Sequence, residues 1–305
     1  MFFLNYLILL IFLMISVAFY VLLERKILGL IQNRVGPFSV GILGILQPFS
    51  DAIKLFSKES YFIYFGNVFI YFFMPFLSLL ISLNLWCLYP LLNNFISFPL
   101  GVLFFICCSS FMVYGILLSG WSSNSMYSML GSIRSVAQSI SYEVCMFLIM
   151  FILIVIFNSF NFINFFFLQQ LNWFIIIGFP LFLILFACFL AETNRSPFDF
   201  SEGESELVSG FNLEYSSFNF SFIFLSEYLN MIFMSFLLCL FFFGGNFFDL
   251  MFYFSVMILN FVFIWIRGTF PRFRYDKLMI MCWKIYLPIS LNYLFIFFNL
   301  FMMVN

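Results

Sequence analysis

Histidine is absent from the 305 residues, and charge is scarce: 12 Lys and Arg against 13 Asp and Glu, 8% of the chain. The first absence removes the haem axial imidazole, imidazole acid–base catalysis and any His-built metal site, so no metal ligand set is expected. The second excludes a soluble globule, whose surface needs about 25% charged residues. Cys-x-x-Cys pairs are also missing. The seven cysteines, at 87, 107, 108, 145, 188, 239 and 282, have no cluster spacing and read as small packing residues, so no iron–sulfur cluster is expected in this chain. No G-x-G-x-x-G strand–turn–helix unit exists to hold a dinucleotide. A net charge of −1 leaves no electrostatic footprint for nucleic acid.

What the chain does have is apolar length. It is 65% hydrophobic and contains 55 phenylalanines, an excess that suits an AT-rich organelle genome. Runs of about 20 apolar residues mark helices that cross a hydrocarbon core about 30 Å thick, whereas the alternating strands of a barrel are absent. The expected fold is therefore all-α: one polytopic transmembrane domain over residues 1–305. Eight spans are expected at about 2–23, 62–90, 100–119, 136–157, 171–190, 218–243, 250–266 and 285–304. The first leads straight into Glu24-Arg25-Lys26 and lacks a basic n-region and a cleavage site, so it reads as a span, not a cleaved signal. Between spans one and two, an amphipathic helix is expected at about 48–59. There Phe49, Ala52, Ile53 and Phe56 share one face, with Asp51, Lys54 and Lys58 on the other.

Eight spans put every Lys and Arg into the first, third, fifth and seventh loops and none into the even loops or termini. By the positive-inside rule the odd loops face the cytoplasm- or matrix-equivalent side. The fifth loop, 191–215, stands out. Glu192, Asp199, Glu202, Glu204, Glu206 and Glu214 oppose a single Arg195. Glu202 and Glu206, four apart, would share a helix face, and clustered acids repel, so some of them hold protons near neutrality, as a proton relay requires. Pro197 ends span five near Arg195, which leaves Glu192 or Asp199 as the expected local ion-pair partner of that guanidinium. Two further acids lie inside spans: Glu143 in the fourth and Glu227 in the sixth. Glutamate has no long stem with which to reach the interface, so an intramembrane acid reads first as functional. Arg25, Arg34, Arg272 and Arg274 are interleaved with aromatics at the membrane surface and suit a lipid headgroup, a polar ligand head or a partner subunit. On the residues alone, a subunit of a coupling enzyme, a stand-alone proton or ion transporter and a structural anchor all stay open. The transporter predicts inverted repeats, and none is visible.

Five collinear segments narrow this. Residues 22–37 (LLERKILGLIQNRVGP), 46–59 (LQPFSDAIKLFSKE), 120–144 (GWSSNSMYSMLGSIRSVAQSISYEV), 191–217 (AETNRSPFDFSEGESELVSGFNLEYSS) and 271–284 (PRFRYDKLMIMCWK) resemble the family of subunit 1 of mitochondrial NADH–ubiquinone oxidoreductase, complex I. The resemblance implies a proton-translocating NADH:ubiquinone reductase in the mitochondrial inner membrane, with the odd loops on the matrix side. In it this chain would form the quinone-access tunnel between the first span, the amphipathic helix and neighbouring spans. It would abut peripheral-arm subunits that carry the FMN and iron–sulfur clusters, with ubiquinone as substrate and other membrane-arm subunits alongside. Carried over by motif, Glu143, Glu192, Asp199, Glu202, Glu206 and Glu227 match an acidic path that couples quinone reduction to proton pumping. Arg25, Arg34 and Arg274 match basic residues at the tunnel. Val35 departs from the family, since many relatives have Lys there.

Overall fold

The computed structural model describes residues 2–90, 98–170, 172–201, 203, 210–247 and 249–304. Their regular secondary structure is all helical, with no strand among the described residues. The helices are α1 (Phe2–Ile31), α2 (Gln47–Ser57), α3 (Val68–Leu85), α4 (Gly101–Ser122), α5 (Met126–Phe157), α6 (Phe162–Leu168), α7 (Phe179–Glu192), α8 (Ser217–Phe242), α9 (Leu250–Thr269), α10 (Tyr275–Ile280) and α11 (Leu287–Val304). A π-helical turn, Met281–Tyr286, joins the last two into one apolar rod.

Seven of these segments are long and apolar enough to cross a membrane. The exception is span five. Gly178 and Pro180 start α7 late, after the short 3-10 turn Phe174–Ile176, and the helix has 14 residues. The first connection contains the short α2, whose second residue is Pro48, where a missing N–H costs nothing. Phe49 packs edge-on against Phe19 of α1 at 6.2 Å, while Ile53 and Phe56 stay exposed.

The core is built around α8. Every residue from Phe233 to Phe242 is buried, as expected of a helix that is apolar all round. Aromatic rings fill the space about it: Phe233 meets Trp86 and Phe105, and Phe241 meets Phe162 and Phe165. Five cysteines (108, 145, 188, 239 and 282) are buried among these apolar residues, Cys87 is half-buried and Cys107 is exposed.

Besides the late start of α7 and the last apolar rod beginning at Tyr275 and not near 285, two further boundaries differ from expectation for physical reasons. The first helix does not stop at residue 23 but continues to Ile31, because Glu24 is buried and paired (below). The Ser/Gly-rich run after Gly120 is helix, not loop: only residues 123–125 separate α4 from α5, so Arg134 lies within α5. Small side chains there let two backbones meet. A Cβ on Gly120 would lie 2.4 Å from that of Ser132, and one on Gly131 would lie 3.0 Å from the Gly210 backbone.

The odd connections meet at one end of the bundle. Asn67 N–H donates to Ser122 C=O (3.2 Å), Tyr71 Oη to Glu214 C=O (2.6 Å) and Phe273 N–H to Pro197 C=O (3.0 Å). At the opposite end Asp249 is the only charged residue among those described.

Candidate functional site

The site begins where α7 stops. Thr193 Oγ1 turns back to Phe189 C=O (3.0 Å), and Asn194 takes a left-handed conformation (φ 50°) that asparagine tolerates, so the chain leaves the helix axis just past Glu192. Gln138 of α5 fixes this turn from beneath: its buried Nε2 donates to Ala191 C=O (2.8 Å) and to Phe198 C=O (2.9 Å). Glu192 thereby faces a cavity of about 60 Å³ between α3, α4, α5, α7 and α8, with Asn194, Glu227 and Asn230 also on its wall. Glu143 of α5 lies beside the lining residue Ser109, close enough to Glu192 for their charges to interact. Three predicted carboxylates, from three different helices, thus gather at one place.

The cavity wall is rich in acceptors. Ser78, Ser109, Ser119, Ser139 and Ser226 each give their hydroxyl proton to the carbonyl three residues back, at 2.7–3.0 Å, and turn oxygen lone pairs inward. The Oε1 atoms of Glu143 and Glu192 and the Oδ1 atoms of Asn194 and Asn230 are buried with no protein donor. One water needs about 10–15 Å³ of such space, so a few fit, and they can donate to these oxygens.

Arg195 is where the structure departs from the expected local pairing. Its guanidinium binds not Glu192 or Asp199 but Glu227, 32 residues away, at 3.2 Å. The turn at Asn194 points Glu192 and Arg195 to different sides, and the Arg195 side chain runs under α8. There it stacks 4.5 Å from the Tyr228 ring centroid and 5.9 Å from that of Phe224. Asp199 pairs with Arg272 at 3.2 Å instead.

Glu24, unremarkable in the sequence because it adjoins Arg25 and Lys26, is 3% exposed. It accepts from Arg267 of α9 and from Tyr228 Oη, the latter at 2.7 Å. Tyr228 therefore touches two charge pairs, with its ring face on Arg195 and its hydroxyl on Glu24. Tyr20 packs edge-on against it at 5.8 Å. The available sequence signal was helical continuity: Glu24 sits inside an unbroken apolar helix, one turn past the buried Tyr20.

The predicted basic residues do not converge on this cavity. Arg25 is exposed and pairs with Asp51 of α2, Arg34 Nε donates to Gln32 (2.8 Å), and the exposed Arg274 pairs with Asp276 (2.9 Å). Glu202 and Glu206 lie outside the described residues. The described ends of the acidic loop are well anchored. Phe198 packs on Phe273 and Phe200 on Tyr275, while Tyr215 stacks on Tyr71 at 4.4 Å and donates to Ser119 C=O. Burial pushes the Tyr215 phenol above its ordinary pKa range, so it stays a neutral donor.

A comparison with known sequences places this arrangement. The family model described as NADH dehydrogenase matches residues 4–298. The chain belongs to the NADH dehydrogenase family. Its relatives include the NADH-ubiquinone oxidoreductase chain 1 of Locusta migratoria, 55% identical over 300 residues that cover 98% of this chain and 96% of the relative. Chain 1 of Aedes aegypti is 55% identical over 291 residues (95% and 93%), and that of Chondrus crispus 44% over 298 (93% and 91%). Membership of the family makes this chain a core membrane subunit of NADH–ubiquinone oxidoreductase.

Proposed function

We propose that this subunit couples quinone reduction to proton translocation through the cavity lined by Glu192 and Glu227, with Glu143 beside it, and that it forms the access path for ubiquinone. The observation that carries the reading is the cavity itself: Glu192 of α7 and Glu227 of α8 line one hydratable space, Glu143 of α5 lies beside its wall near Ser109 and Glu192, and Glu143 and Glu192 each have an oxygen with no protein partner among the described residues. A water-bridged set of acids passes protons by exchanging hydrogen bonds, a role that an intramembrane acid takes by default. Asp199, Glu202 and Glu206 would extend this path along the loop toward the charged end. Arg195 balances only part of the negative charge through Glu227, and Tyr228 ties that pair to Glu24 and Arg267. A charge change at a quinone near α1 and α2 would then reach the cavity through a chain of direct contacts.

The tunnel assignment is supported by the resemblance and by the placement of α2 against α1, where Arg25 pairs with Asp51 at the charged end. On this reading Arg25, Arg34 and Arg274 flank the tunnel mouth and the odd connections face the mitochondrial matrix. The peripheral-arm subunits that carry FMN and iron–sulfur clusters dock on that side, in the inner membrane. This chain supplies the apolar path and the carboxylates.

Glu143→Gln tests the proposal in the assembled enzyme. Proton pumping per quinone reduced should fall, while NADH oxidation with an artificial acceptor stays at the wild-type rate. Unchanged pumping and quinone reduction would remove Glu143 from the path.

A further inference from the structure

At the end of the bundle away from the acids, a second cavity of about 550 Å³ opens between the α6–α7 connection and the α8–α9 connection. Its back wall is held by Gln169. The buried Nε2 donates to Phe241 C=O (2.8 Å), and Oε1 accepts from Gly244 N–H (2.9 Å). The α8–α9 connection turns on Gly244 and Gly245, both at positive φ, and Gly244 lies so close under the Trp173 indole that a Cβ would approach Nε1 to 3.0 Å. The mouth is polar, with Gln170, Asn246 and Asp249; the floor is apolar.

That floor has a direction. Met251, Phe254, Ser255 and Ile258 recur at helical spacing along one face of α9 and line the cavity. From Asp249 to Ile258 the face runs about 14 Å down the helix, from the level of the helix ends toward the middle of the bundle. Met251, Phe254 and Ile258 are exposed, and so is Trp173 at the rim. A polar mouth at the helix ends above an apolar track matches one molecule of a bilayer, a phospholipid with one chain laid along α9. Indole at such a rim is the usual marker of the membrane–water boundary.

The charge pattern selects the headgroup. Asp249 is the only charged residue at this end among those described, and no Lys or Arg occurs in the even connections or at the termini. An anionic headgroup would meet a carboxylate and no cation. An ammonium with N–H protons meets carboxylate and amide oxygens, which a quaternary ammonium cannot bond. We propose that this groove binds a phospholipid with a primary-ammonium, ethanolamine-type head, its ammonium against Asp249 and one acyl chain along Met251, Phe254 and Ile258.

The test uses the whole enzyme complex in nanodiscs that contain phosphatidylethanolamine, phosphatidylcholine or phosphatidylglycerol, each with a diazirine on one acyl chain, and maps labelled peptides by mass spectrometry. Labelling within 249–258 should favour the ethanolamine lipid by about threefold, the discrimination that one exposed ion pair supplies. Asp249→Asn, an isosteric surface change, should erase that preference while chain labelling persists. Equal labelling by the choline or glycerol lipid in the wild type overturns the headgroup assignment. No labelling within 249–258 by any of the three lipids overturns the site.

Discussion

Removing Arg195 exposes the energetics of the buried network most sharply. Its side chain is 6% exposed, its partner Glu227 is 16% exposed, and its guanidinium plane lies on the Tyr228 ring. Replacement by Met keeps length and apolar contact but takes the buried guanidinium away from the Glu227 carboxylate. Removing one partner of a buried pair costs about 3–5 kcal/mol, and the lost desolvated cation–π contact alone is worth up to about 2 kcal/mol. Replacing both partners with apolar residues removes both halves of the ion pair at once, so Arg195→Met with Glu227→Leu should be less destabilising than the two single costs added together. The coupling between the sites should be about 2–3 kcal/mol, well above the scatter of 0.3–0.5 kcal/mol seen for independent positions. The assay is the temperature at which the isolated complex loses this subunit's folded signal, measured for wild type, both single variants and the double. Additive costs, or a single variant as stable as wild type, would refute the claim that the two side chains form one buried unit.

Other outcomes follow from the same contacts. Glu24→Gln keeps an acceptor for Tyr228 Oη but leaves the Arg267 guanidinium without its carboxylate, so it should destabilise by about 1–3 kcal/mol and lower the yield of assembled complex on native gels. Gln169→Leu strips partners from Phe241 C=O and Gly244 N–H and should cost about 1–3 kcal/mol per stranded group, read as faster hydrogen exchange in 240–246. Gly131→Ala pushes a methyl toward the backbone of Gly210 and Phe211, 3.0 Å away, and should loosen the anchored end of the acidic loop, so that limited proteolysis cuts within 191–215 more readily than in wild type.

The sequence carried the helices well because lipid-spanning segments are written in long apolar runs, and it carried α2 because Pro48 and the alternating faces need no tertiary help. It also singled out Glu143 and Glu227, since a carboxylate in an apolar run is conspicuous, and Glu192 as a member of the acidic loop. What it hid depends on distant packing. Arg195 has acids close by in sequence, yet its partner comes from α8, because Asn194 turns the backbone between Glu192 and Arg195. Glu24 looks like an interfacial charge until Arg267 and Tyr228 close over it. The Ser/Gly segment after Gly120 has loop composition, but its small side chains serve close contact between α4, α5 and the 210–212 turn. Composition does not distinguish a flexible loop from two backbones in contact.

The most direct test of the coupling account is Glu192→Gln in the assembled enzyme, with proton pumping, quinone reduction and NADH oxidation by an artificial acceptor measured on the same preparation. Glu192 faces the cavity with one oxygen unbonded and makes no ion pair among the described residues, so the amide should fit without loss of the fold. The account predicts that pumping and quinone reduction fall together while artificial-acceptor activity holds. Wild-type pumping in this variant would contradict it.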